Sequence, residues 1–219
     1  NLFLRDREAG TTQLISVDSN GNLADSNSNN ASMTSDGRYI VFDSESNLVA
    51  EDINGTVKDV FLRDMVNGTT ERISVGIDGT QGNFNSFDPA ISPDGRYVAF
   101  TSSAYNWQLD TNGKQDIYVH DRQTGVTERI INTGIDGTES NYDSYDPAIS
   151  ADGRYVSFSS NASNLTGDDE SSDRDVFVHD RQTGITKLVS GEKFSGANSS
   201  SISENGQNIT FNYSNGTST

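Results

Sequence analysis

The chain has no cysteine, and among 219 residues it has only three prolines, two histidines and two methionines. Without cysteine, a disulfide framework and a thiolate metal site are excluded. No apolar run approaches the ~20 residues that carry a helix across a bilayer, which argues against membrane insertion. Positive charge is scarce too: 15 Lys and Arg stand against 32 Asp and Glu, a formal net charge of −17. No basic stretch can neutralise phosphates, so nucleic acid is excluded as a partner and anionic membranes are disfavoured. Helical periodicity is absent, and only 32% of residues are hydrophobic. The length suits one large all-β domain or one to two ordinary ones.

What remains is rich in Asp, Asn, Ser, Thr and Gly, a surface suited to an extracellular or periplasmic protein. The chain starts at Asn1 without a charged-then-apolar leader, as a mature or excised piece would.

A repeat of about 58 residues organises the sequence. Asp36-Gly37-Arg38-Tyr39 recurs as Asp94-Gly95-Arg96-Tyr97 and Asp152-Gly153-Arg154-Tyr155, then decays to Asn205-Gly206-Gln207-Asn208. Asp59-Val60-Phe61-Leu62-Arg63-Asp64 recurs at 116–121 and 175–180, with a truncated copy, Leu2-Phe3-Leu4-Arg5-Asp6. Each unit reads as four strands. Strand A runs through Pro89 to Ser92, and an Asp-Gly turn leads to strand B, Tyr97 to Phe100. Strand C is Ile117 to His120, and a turn ending in Gly125 leads to strand D, Val126 to Ile131. Strands B and C are near-continuous apolar runs, so both their faces should be covered.

Sheets of four strands stacked between similar sheets meet that need, which is the blade arrangement of a β-propeller. The expectation is an all-β fold of four blades. Three are continuous, at 31–75, 89–131 and 147–190. The fourth is closed by N-terminal strands C and D (1–17) pairing with C-terminal strands A and B (198–213). The alternative is part of a larger propeller.

The run Ile91-Ser92-Pro93-Asp94-Gly95-Arg96-Tyr97-Val98-Ala99-Phe100, followed by Asp116-Ile117-Tyr118-Val119, resembles the TolB-type, WD-like propeller repeat. That resemblance covers nearly the whole chain and implies the propeller fold. It leaves function broad, because such propellers serve as periplasmic scaffolds and as domains appended to peptidases and lyases. The long, acidic B–C and D–A connections depart from the common pattern and mark a specialised loop face.

On that face, the B–C loops carry Asp52, Asn54 and Asp59; Asp110, Asn112 and Asp116; and Asp168, Asp169, Asp173 and Asp175. Asp-x-Asn-Gly followed by Asp resembles the opening of a calcium loop, since a hard cation takes six to eight oxygens around a glycine bend. Calcium is therefore the expected cofactor, reducing the self-repulsion of the net charge. The competing reading is that Asp, Asn and Gly are turn formers. The D–A loops carry Phe84, Phe87 and Asp88, matched by Tyr142, Tyr145 and Asp146, with Tyr105 and Trp107 nearby. These could stack on a sugar ring, or wedge between blades. His120 and His179 share a repeat position with Arg5 and Arg63, so they read as strand-end polar sites, and no catalytic set is expected. The resulting expectation is a non-enzymatic binding or scaffold module that recognises a protein or glycan. A polysaccharide lyase or hydrolase is one alternative. A structural repeat of a larger adhesin or filament, self-associating through terminal strands, is another.

Overall fold

The computed structural model of the chain describes residues 1–107, 110–130, 134–135, 137–169, 173–191 and 196–213. Among them are sixteen strands and no helix. β3 (Ser28–Met33), β4 (Tyr39–Ser44), β5 (Asp59–Asp64) and β6 (Thr69–Arg72) form one antiparallel sheet in chain order. β7 (Ser86–Ile91), β8 (Tyr97–Ser102), β9 (Asp116–Asp121) and β10 (Val126–Arg129) form the second. β11 (Ser144–Ile149), β12 (Tyr155–Ser160), β13 (Asp175–Asp180) and β14 (Ile185–Leu188) form the third. The fold is a β-propeller type, with these as blades 1 to 3. Strand A of each blade starts before the expected range, and Ile131 lies outside the described residues.

The repeat motifs explain the blades. In each A–B turn an aspartate (Asp36, Asp94, Asp152) accepts the hydroxyl of Thr34, Ser92 or Ser150 at 2.6 Å and the backbone N–H two residues on. Asn205 does the same work with Ser203, so the decayed copy keeps its turn. Strands B and C pair in one register throughout, setting Phe42 opposite Phe61, Phe100 opposite Tyr118 and Phe158 opposite Phe177. Both faces of these strands are covered because blade packs on blade. Val41, Val60 and Leu62 of blade 1 meet Val98, Phe100 and Tyr118 of blade 2, and blade 2 meets blade 3 in the same way.

The ends depart from the expected layout. β1 (Phe3–Asp6) with β2 (Thr11–Leu14), and β15 (Ala197–Ile202) with β16 (Ile209–Tyr213), form two separate two-stranded sheets. Each is already seated on its own neighbour: Leu2 packs on the Phe42–Phe61 cluster of blade 1, and β15 packs on β11, β12 and β13. Among the described residues, therefore, no shared sheet joins the two ends.

Candidate functional site

The B–C and D–A connections leave the same end of every blade and form one loop face. In the first B–C loop the structure brings Asp52, Asn54 and Asp59 together. Gln81 Nε2 donates to Asp52 Oδ1 (2.5 Å) and Asp59 Oδ2 (3.2 Å), Asn54 Nδ2 donates to Asp59 Oδ2 (3.0 Å), and Arg72 Nη1 lies 3.8 Å from Asp52. In the second loop Arg129 Nε lies 3.2 Å from Asp116 Oδ2, both side chains being buried. Asp110 Oδ1 accepts the backbone N–H of Asn112, whose amide turns away to Ser140 O. Burial pushes Asp116 up to about 7 despite the pull of Arg129, and burial also raises Asp59 and Asp52. Amide donors and Arg72 in the first loop, and Arg129 in the second, thus neighbour the carboxylates expected to hold calcium. Among the described residues no group of three acidic or histidine side chains is close enough to hold a metal. Blade 3 differs. Leu188 occupies the place of Arg72 and Arg129, while Asp169 and Asp175 are buried and Asp168 is exposed.

The aromatic candidates separate into two groups. Phe84, Tyr105 and Tyr142 are 51%, 53% and 48% exposed on the loop face. Phe84 and Tyr105 sit 5.4 Å apart at a 44° tilt, and Lys114 Nζ lies 5.5 Å from the Tyr142 ring. Trp107, by contrast, is 2% exposed and stacks edge-on against Phe100 and Tyr118. It fills the space beside Gly76 and Gly82, where any Cβ would strike its ring. Trp107 therefore leaves the ligand-binding set and joins the core, since its indole area is worth more buried than exposed. Phe87 and Tyr145 lie in β7 and β11, half-buried.

Asp88 and Asp146 belong to a feature that sequence reasoning missed. Strand A carries a bulge in all four copies, at Asn30, Asp88, Asp146 and Ser199, each with φ near +50°. A non-glycine residue there is strained, and Asn and Asp tolerate it best. All four line a cleft of about 300 Å³ between the innermost strands. Asn30 Nδ2 donates to Asp88 Oδ1 (2.8 Å), and burial together with the charges of Asp146 and Asp43 pushes Asp88 up to about 6. The recurring polar residue, third in each strand A, was the available signal.

The histidines are structural. His120 Nδ1 meets Thr127 Oγ1 at 2.9 Å and His179 Nδ1 meets Thr186 Oγ1 at 3.0 Å. Arg63 and Arg5 donate to Thr70 and Thr12 from the same position. Burial lowers both imidazole pKa values. On this opposite face, Asp121 and Asp180 brace their C–D turns, and Arg96 and Arg154 bind them as forked pairs.

No family model matches the sequence, and no curated protein matches it. Solved structures do. TolB from Acinetobacter baumannii aligns with TM-score 0.59 and 22% identity, over 98% of this chain and 43% of that one. A TolB from Agrobacterium tumefaciens gives 0.54 and 21%, over 86% and 59%. The tricorn protease gives 0.53 and 19%, over 81% of this chain and 15% of that one. The chain spans less than two thirds of each of these proteins. The likeness shows a TolB-like β-propeller fold.

Proposed function

We propose that the chain is a non-enzymatic binding or scaffold module of a periplasmic or extracellular protein, engaging a protein or glycan through its loop face. The observation that carries this reading is the trio Phe84, Tyr105 and Tyr142, half-exposed while Phe42, Phe61, Phe100, Tyr118, Phe158 and Phe177 of the blade cores are buried. Rings held beside amides and carboxylates suit a neutral sugar or a basic peptide; the net charge disfavours acidic partners. Calcium held by the acidic B–C loops is part of this reading, because their carboxylates gather on the same face. The second reading, a polysaccharide lyase or hydrolase, is favoured by one feature, the Asp88–Asp146 pair beside the axial cleft.

The test is a glycan and basic-peptide array probed with the chain and with Phe84→Ala/Tyr105→Ala, in calcium and in chelator. The double variant should lose roughly tenfold in affinity, the scale of two aromatic contacts, with an unchanged melting curve. Equal binding by both chains would remove the loop face from the reading. Product release from a polysaccharide, lost in Asp88→Asn/Asp146→Asn, would replace it with the second.

A further inference from the structure

Neighbouring blades are locked by one repeated device. Arg122, in the C–D turn of blade 2, reaches back over Tyr39 of blade 1 (4.2 Å to the ring centroid). It donates to Glu71 Oε1 of blade 1 (3.0 Å) and to Gly95 O of its own blade (2.7 Å). Arg181 of blade 3 repeats this with Tyr97, Glu128 and Gly153 O. The glycine is required, because a Cβ on Gly95 would fall 2.6 Å from the Tyr39 ring and Gly153 meets Tyr97 in the same way.

At blade 3 the device is half-built. Gly206 sits against Tyr155 as its counterparts do, but no C–D turn follows β16 among the described residues. In its place is a cavity of about 290 Å³ lined by Tyr155, Val178, Ile185, Lys187 and Gly206 among others. The chain carries a turn of this kind at its other end. Asp6-Arg7-Glu8-Ala9-Gly10 is folded like its counterparts, with Asp6 Oδ1 accepting the N–H of Glu8 (2.8 Å), and Arg7 is exposed. Phe3 is exposed beside it, whereas Tyr118 and Phe177 at the same repeat position are buried against the preceding blade.

The sequence matches these two ends to each other. Arg7 keeps the arginine where Tyr155 keeps the tyrosine. Met65 stands in place of the arginine in blade 1, and Asn208 stands in place of the tyrosine in the last copy. The carboxylate changes place: Lys187 replaces Glu71 and Glu128, while Glu8, in place of Gln123 and Gln182, carries a carboxylate on the turn itself.

We propose that this cavity is a socket for the Arg7 turn of a second copy of this chain, joined head to tail, with β1 of one copy pairing β16 of the other. Within one chain, bringing the two ends together would require resetting close-packed interfaces between blades, whereas a second copy requires no change. The register of the three complete blades then sets Leu4 opposite Thr210, as Val41 stands opposite Leu62. Two copies contain the strands of eight blades, within the usual range for a closed ring. A join that does not close would make a filament.

The absence of cysteine makes the test direct. Leu4→Cys and Thr210→Cys, made in separate chains, should form a disulfide on mixing, because opposed Cβ atoms lie within bridging distance. Sedimentation of the unaltered chain should give at least twice the 23.7 kDa of one copy. Arg7→Ala should weaken association roughly tenfold. A single-chain mass at every concentration, no disulfide on mixing, or no effect of Arg7→Ala would overturn the proposal. A bridge formed only inside one chain carrying both cysteines would assign the socket to the chain's own end instead.

Discussion

β5 and β1 carry nearly the same residues, Val-Phe-Leu-Arg-Asp against Leu-Phe-Leu-Arg-Asp, yet Phe61 is fully buried and Phe3 is 65% exposed. Both hairpins are antiparallel and in the same register, with Phe61 opposite Arg72 and Phe3 opposite Leu14. What differs is the neighbour. Phe61 has strand B of its own sheet beside it and Leu2 and Ala24 across from it; Phe3 has β2 alone in its sheet. The strand sequence therefore specifies the hairpin, and burial comes from the adjoining strands and blades. Repeat architectures behave this way because one unit cannot cover its own faces.

That contrast can be broken most sharply by truncating the two rings. Phe61→Ala should cost about 3–5 kcal/mol of stability, the usual range for emptying a buried aromatic site. Phe3→Ala, measured by urea unfolding at low concentration, should cost under about 0.5 kcal/mol. Comparable losses would mean that Phe3 is covered in the single chain. Glycines give the next largest effect. Gly153 has φ +69° and faces the Tyr97 ring, so Gly153→Ala combines backbone strain with a clash and should cost about 2–4 kcal/mol. Gly10 has φ +65° with nothing within 4 Å, so Gly10→Ala should cost only about 1 kcal/mol. Equal costs in urea unfolding would show that the interface between blades yields easily.

The repeat made the blades legible, because apolar runs of period-free pattern must be covered on two sides and Asp-Gly turns fix the hairpins. Recurrence alone could not settle whether the ends meet, since that depends on how each blade packs on the next, as Arg122 does over Tyr39. The candidate site was legible in part. Asp52 and Asp59 do converge, but Arg72 and Arg129 arrive from strand D, more than a dozen residues further along the chain, and their spacing resembles no metal loop. Phe84, Tyr105 and Tyr142 look like Trp107 in composition. Only the glycines at 76 and 82, which open a slot for the indole, distinguish a core ring from a surface one. The positive-φ bulge left one trace, a polar residue at a fixed place in strand A.

That bulge offers the smallest expected effect, and it sets the two middle copies against the outer two. Asn30 and Ser199 are neutral at this position, while Asp88 and Asp146 bring two carboxylates toward the same cleft. The folded chain holds the Asp88 proton more tightly than the unfolded chain does, since its pKa is raised to about 6 from near 4. Stability from this group is therefore full at pH 4 and falls as pH rises through 6. Asp88→Asn should keep the left-handed backbone, as Asn30 does, and should remove that slope. After allowance for solvent screening, it should add about 1 kcal/mol at pH 8 and little at pH 4. Urea unfolding at the two pH values checks this. An unchanged slope would place the carboxylate in water, away from Asp146 and Asp43, and would separate the inner strands further than the cleft they line allows.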